Sequence, residues 1–563
     1  MKLKNIIYTM VGATTLSLGT SSCSDSFLAE KMYSNYGTDV ADVNAKVLGL
    51  HYKVAQIIGW SGHQGFVGCW QVGTDVGSAG DTEGVEVPFY KYAELNSENA
   101  GVSFLWNGLY DIINAANVII ADETADPALV AEAKFFRAYA YDDLVTFWGP
   151  VPLIIVSTTV PRTDYTRTPV AEIDQLIDAD LTDAVANLPT VGKTRTEDRI
   201  NKDAARMLAA RAYLRMGLRD KSFYAKAEQV ITPTITEGNY KLISTRYGKF
   251  TGEAGDFYHD MFRWGNQRRS QGNTEGIWTF QNEYSRDVTG GTIDNPQQRR
   301  NWVCAFHKYS GMQNCDSLGG RGNGRLRLSN FVKYQLFQPG DIRNSNFNIR
   351  RVLWYNRPGY SETFGVDANG FRVNKDQGVK NVTVKTGDEV IPRSGDSLNV
   401  YYPHPTKWGG YDTTDDFGYA LVKDWPMMRF AEAYLLRAEA RMRQSNFTGA
   451  ADDINVLRDR AFKDYRIETG NVLAGKVSAD QINIDFILDE RARELISEEN
   501  RRLTLMRTGT LGERWEKYHD RGALVPDNKL SSGFDPNTHN LLPIPLSEIQ
   551  LNKDAQMEQN PNY

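Results

Sequence analysis

Ala133-Lys134-Phe135-Phe136-Arg137-Ala138-Tyr139-Ala140-Tyr141, closed by Phe147-Trp148-Gly149-Pro150-Val151-Pro152-Leu153, is the stretch on which the fold turns. Leu129, Ala133, Phe136, Ala140 and Leu144 follow one another at intervals of three and four, along one face of an α-helix. Gly149-Pro150 and Pro152 stop it. The pattern returns twice. A helix from about Lys202 aligns Ala205, Leu208, Ala212 and Met216, and one from about Pro426 aligns Met428, Ala431, Leu435, Ala438 and Met442. Arg137-Ala138-Tyr139-Ala140, Arg211-Ala212-Tyr213-Leu214 and Arg437-Ala438-Glu439-Ala440 occupy comparable places on the three. The last two are each followed by a break and a second helix with small residues, Ala225 with Ala227 and Ala450 with Ala451, which let two helices approach closely. The spacing predicts a mostly α protein, a tetratricopeptide-like helical-repeat scaffold whose copies are separated by insertions.

The 563 residues are 41% hydrophobic, 24% charged and 11% aromatic, which excludes a disordered, collagen-like or polytopic membrane chain. Lys and Arg total 64 against 70 Asp and Glu, so a chain-wide role on nucleic acid has no electrostatic support. Residues 1–22 read as a lipoprotein signal peptide. Lys2 and Lys4 form a positive start, Ile6 to Leu18 is apolar but too short to span a bilayer, and small residues lead into Cys23. Cys23 is then the acylated residue, and the membrane is reached through a lipid anchor. Thr20 stands where such signals usually carry Leu. Cys69, Cys304 and Cys315 show no metal spacing; either Cys304 and Cys315 close a short loop or all three are buried thiols.

The expected organisation is a helical region over 23–240, a loop-rich ligand-binding insertion over 241–424, and a helical region over 425–563 that forms one unit with the first. The insertion is rich in Gly, Asn, Arg and aromatics, with turn signals at Gly290-Gly291, Gly319-Gly320 and Pro339-Gly340. Short strands such as Asn381 to Lys385 fit there. Loops of this length tend to carry function. Catalytic motifs are missing. The seven His form no His-Glu-x-x-His, and Gly59-Trp60-Ser61-Gly62 fails as a nucleophile elbow at His63. Gly192-Lys193-Thr194 lacks the first Gly of a phosphate loop, Asn187 standing there. Neither an enzyme nor a bound cofactor or metal is expected.

The quoted stretch resembles the first signature of the SusD/RagB family. Arg429-Phe430-Ala431-Glu432-Ala433-Tyr434-Leu435-Leu436-Arg437-Ala438-Glu439-Ala440 is similar to its second, and Glu490-Arg491-Ala492-Arg493-Glu494-Leu495 with Arg507-Thr508-Gly509 to a third. Pro543-Ile544-Pro545, Glu548-Ile549 and Gln559-Asn560-Pro561-Asn562-Tyr563 resemble its C-terminus, and Cys23-Ser24-Asp25-Ser26-Phe27-Leu28 its start. Arg502, Thr504 and Asn562 depart from the pattern at scaffold positions. The resemblance implies a cell-surface-exposed, lipid-anchored outer-membrane protein with a SusD-like fold. It also implies binding of a nutrient glycan and delivery to a TonB-dependent, SusC-like transporter. A peptide- or protein-binding lipoprotein of the same transporter class is the alternative.

Sugar rings stack on aromatic faces while their hydroxyls need polar partners. Two segments supply both: Trp60 to Trp106, with Trp70, Asp75, Asp81 and Tyr90, and Trp278 to Tyr309, with Asn282, Tyr284, Arg300, Trp302 and Tyr309. For each aromatic taken singly, core packing competes with ligand binding. Between Arg246 and Arg357 stand 14 Arg and 3 Lys against 9 acids. That surplus points either to an acidic glycan or to arginines that pair with acids of the helical blocks.

Overall fold

The computed structural model describes residues 42–59, 66–282, 297–397, 400–410, 423–520 and 529–563. The signal segment, Cys23, Trp60 and Tyr284 lie outside them. Helix α1 (Val43–Gly59) is followed by α2 (Ala100–Ile120) and α3 (Pro127–Trp148), which carries the signature stretch. The first block ends with α4 (Val170–Asn187), α5 (Lys202–Met216) and α6 (Ser222–Thr236). The second holds α7 (Phe430–Arg443), α8 (Phe447–Ala461), α9 (Ile484–Leu495), α10 (Arg501–Arg507) and α11 (Leu511–Tyr518). From α2 to α8 each helix packs on the next in the chain, α6 meeting α7 across the whole insertion. This is the split helical repeat that the spacing predicts.

Local chemistry sets the helix ends. Asn99, Asp126, Asn201, Asn446 and Asn483 each accept backbone N–H bonds in the first turns of α2, α3, α5, α8 and α9. Such caps contribute about 1 kcal/mol each. α3 begins with Pro127 and stops at Gly149, whose φ of 72° is left-handed and whose successor, Pro150, cannot extend the helix. The predicted apolar face of α3 is buried, but so are Phe135, Tyr141 and Phe147 on its other sides. α3 is a central helix rather than an amphipathic one, because α2, α4 and the insertion cover it from different directions.

The repeat is fastened by buried arginines. Arg137 on α3 grips Asp180 on α4 with two bonds of 2.8 Å, and Arg437 on α7 holds Asp453 on α8 at 2.6–3.2 Å. Bidentate forks of this kind fix helix register as well as energy.

The strands are short: β1 (Gly77–Ala79), β2 (Gly276–Phe280), β3 (Leu326–Leu328), β4 (Ile349–Arg350), β5 (Ser361–Val366), β6 (Arg372–Val373), β7 (Lys380–Lys385), β8 (His404–Pro405) and β9 (Trp425–Arg429). β1–β3, β2–β9 and β4–β8 are antiparallel pairs, and β5 lies between β6 and β7. The β2–β9 pair joins the first strand of the insertion to the strand that leads directly into α7. The insertion also has an apolar core of its own, with Val303, Phe306, Met312, Leu353, Phe364 and Val384. Ion pairs staple it to the helices: Arg343 reaches Glu490 at 2.8 Å and Glu494 at 3.1 Å. Cys69 and Cys304 are buried and Cys315 half-buried, and all three are free thiols, so the Cys304–Cys315 loop is not formed. Among the described residues no helix is long and apolar enough to cross a membrane.

Candidate functional site

The two aromatic segments meet, and of the expected site residues that are described only Trp70 and Trp278 line one cavity. Trp70 packs on Phe147 with ring centroids 5.3 Å apart. Trp278, on β2, stands edge-on to Phe135, Phe136 and Tyr139 of α3. The other expected residues are elsewhere. Asp75 is fully buried between Arg501 and Arg514, at 2.6 and 2.7 Å. Burial pushes its carboxyl up, yet the two guanidiniums outweigh that and hold it at about 2. Tyr90 is buried, its hydroxyl accepting from Thr82 at 3.3 Å, while Asp81, the residue before Thr82, is exposed. Asn282 is half-buried and donates its backbone N–H to Asp424 and its side-chain amide to the Lys423 carbonyl. Arg300 is buried, its carbonyl accepting the Asn323 N–H at 2.9 Å. Trp302 is fully enclosed. Tyr309 bonds Asp396 and packs edge-on to Tyr401. Asp75 and Trp302 are therefore occupied in holding the interior, with no surface to offer a large ligand.

The shared cavity has a volume of about 160 Å³. That is room for about five waters at ~30 Å³ each. Trp408 of the insertion supplies a third indole wall, fixed by its N–H donating to the Ser497 carbonyl at 2.8 Å. Three of the four lining carboxylates are neutralised in place. Arg491 holds Glu432 at 2.7 Å and Glu499 at 2.8 Å, and Arg429 with Lys407 holds Glu498. The fourth, Asp143 on α3, has Arg211 of α5 at 3.8 Å, outside hydrogen-bond range. Burial lifts its carboxyl to about 7, Arg211 pulling down and Asp142 pushing up. On the lining residues, Gln71 Oε1, Asp143 Oδ1, Arg211 Nε and Nη2, Trp278 Nε1, Gln298 Oε1, Arg491 Nη1 and Ser497 Oγ are buried with no hydrogen-bond partner among the described residues. Buried polar groups normally have a partner, and those on the lining of this aromatic-walled space are the ones that a polar guest could satisfy.

Outside the cavity, the insertion presents aromatics that the sequence reading passed over. Trp264 is 47% exposed with the Lys249 ammonium 5.8 Å from its ring, Tyr334 is 73% exposed beside Lys333, and Trp354 is 40% exposed. The signal was the polar company of Trp264, between Arg263 and the left-handed Gly265. Several of the arginines are held in ion pairs: Arg268 pairs with Asp424, Arg325 with Glu86, Arg327 with Asp520, Arg343 with Glu490 and Glu494, and Arg246 and Arg263 with acids nearby. Among the described residues no group of His, Cys, Asp and Glu is disposed to hold a metal.

Two family models match the chain, one described as SusD family over residues 274–563 and one as starch-binding associating with outer membrane over 26–214. A relative from Formosa agariphila named SusD-like protein P25 is 25% identical over 534 residues, spanning 91% of this chain and 90% of its own. Starch-binding protein SusD of Bacteroides thetaiotaomicron is 34% identical over 140 residues, 25% of this chain and 22% of that one. The solved structure of a laminarin-binding SusD-like protein superposes with a TM-score of 0.62 at 19% identity, covering 92% of this chain and 99% of that one.

Proposed function

The chain belongs to the SusD family, and on that premise we propose that it captures a nutrient glycan at the cell surface and delivers it to a partner TonB-dependent outer-membrane transporter. The family is associated with the outer membrane, and the functionally named relatives are binding proteins, one for starch and one for laminarin. The observation that carries the reading is the cavity where Trp70, Trp278 and Trp408 surround hydrogen-bonding groups that the protein itself leaves unspent. Aromatic faces with convergent polar groups are the chemistry that a sugar ring with its hydroxyls requires. The exposed rings of Trp264, Tyr334 and Trp354 offer further stacking surface for a longer chain. Cys23 supplies the lipid anchor, and no catalytic step follows capture.

The test has two arms. The full chain in mild detergent is applied to an array of neutral and acidic polysaccharides and to a peptide library. In parallel, its complexes are isolated from outer membranes. Binding to a glycan and co-purification with a barrel transporter are expected. A blank glycan array with specific peptide capture would replace the reading with the peptide-binding one, and a lone monomer across several detergents would remove the delivery step.

A further inference from the structure

One arginine of the repeat is used differently from its counterparts. Arg137 and Arg437 spend their forks on an aspartate of the following helix. Arg211 holds the comparable place on α5, but at the 16-residue spacing that separates Arg437 from Asp453 the chain has Ala227. Arg211 Nε and Nη2 consequently have no hydrogen-bond partner among the described residues. They stand 3.7 Å from Asp142 Oδ2 and 3.8 Å from Asp143 Oδ1, too far for a direct bond. Asp143 Oδ1 is unspent as well, and so is the indole N–H of Trp278, whose ring lies 6.4 Å from that of Tyr139. Asp143, Arg211 and Trp278 all line the same cavity.

We propose that this end of the cavity is a subsite for one neutral, hydroxyl-rich sugar residue, held by Asp143, Arg211 and Trp278; the proposal rests on the glycan reading above. A hydroxyl donates and accepts at once. Placed between Asp143 and Arg211, it gives its proton to the carboxylate and accepts one from the guanidinium, which is what their separation calls for. The indole N–H serves a second hydroxyl or the ring oxygen. The carboxylate of a uronate, or a sulfate group, offers only acceptors in place of that hydroxyl. It satisfies Arg211 and Trp278 but meets Asp143 charge to charge, and no lining group is left to balance it. Arg491 is already shared by Glu432 and Glu499, and Glu498 is matched by Arg429 and Lys407. An anion carried in remains an uncompensated charge in largely desolvated surroundings, a costly state. The volume suits a single residue, so the subsite reads one unit of the ligand, and the rest of a chain lies outside it.

The experiment is ligand-observed NMR on the full chain in detergent at pH 8, where Asp143 is charged, with matched pairs: glucose and glucuronate, galactose and galacturonate, mannose and mannuronate. The polysaccharide array is run beside it. At least one neutral sugar is expected to bind, with its uronate at least tenfold weaker. Asp143→Asn and Arg211→Lys should each weaken the neutral sugar at least tenfold. Trp278→Phe, which keeps a ring and deletes the N–H, should weaken it several-fold with the melting temperature within a few degrees. A uronate that binds as tightly as its neutral partner overturns the proposal. So does unchanged sugar binding in folded Asp143→Asn and Trp278→Phe. Polysaccharide binding on the array with no monosaccharide response also removes the subsite, and leaves glycan capture standing. Blank results on both array and NMR overturn glycan capture itself and the subsite with it.

Discussion

Replacing Asp75 with Asn separates a strut from a ligand contact. Asp75 is buried and joins two elements far apart in sequence, accepting from Arg501 Nε and Nη2 on α10 and from Arg514 Nε on α11. Its carboxyl is held at about 2 against an ordinary 3.8. That depression corresponds to roughly 2–3 kcal/mol at neutral pH. Removing one partner of a buried pair typically costs about 3–5 kcal/mol. Here the low end is expected, because Arg501 keeps Glu499 and Arg514 keeps Asp489. For a unit of this size, with an unfolding entropy near 2.1 cal/mol/K per residue, about 3 kcal/mol lowers the melting temperature by roughly 3 °C. The sign with pH follows from the direction of the shift. The folded carboxyl is depressed, so its contribution is complete above about pH 4 and is lost as pH falls toward 2. The gap between wild type and Asp75→Asn should therefore be widest at neutrality and close on acidification. Circular dichroism melts at matched scan rates from pH 7 down to pH 3 measure it, with glycan binding recorded on the same samples. An unchanged melting temperature together with lost glycan binding would refute the strut and return Asp75 to the ligand.

Asp143→Asn should behave in the opposite sense. The folded carboxyl is raised to about 7, amid Asp142 and Tyr139 on α3, Arg211 and Arg215 on α5 and Glu432 on α7, so it weakens the fold as pH rises from about 4 to 7. Relative to wild type the variant should gain about 2–4 kcal/mol between pH 5 and pH 8, and equal melting differences at both pH values would contradict this. Cys23→Ala should release a folded protein from the membrane fraction; retention after detergent-free washing would dismiss the lipid anchor. Trp264→Ala removes an exposed ring, so polysaccharide affinity should fall by about 1 kcal/mol with the melting temperature unchanged, as isothermal calorimetry and a melt would register. Binding of a neutral glycan should hold steady between 50 mM and 500 mM salt, because exposed charge pairs are screened over about 8–10 Å at physiological ionic strength and none is needed here.

The repeat was legible from residue order because helix formation is local. Intervals of three and four put Leu129, Phe136 and Leu144 on one face, Gly149-Pro150 ended the helix, and recurring arginines marked the copies. That α6 packs on α7 across the insertion is decided by the folded chain, not by neighbouring residue order. The strand near Asn381 was legible too, as β7. What each aromatic and each charge does was not. Trp70 and Trp302 are the same residue type in similar company, yet one lines a cavity and the other is enclosed, because burial depends on what the rest of the chain places around a ring. Asp75 stands among aromatics in a segment with the chemistry of a ligand site, but Arg501 and Arg514, more than 400 positions away, close on it. Arg325, Arg327 and Arg343 of the insertion likewise pair with Glu86, Asp520, Glu490 and Glu494, acids that residue order does not place near them. Helix phase and chain breaks are written in near-neighbour order. Charge neutralisation and cavity walls come from contacts between distant segments, and only the folded chain decides them.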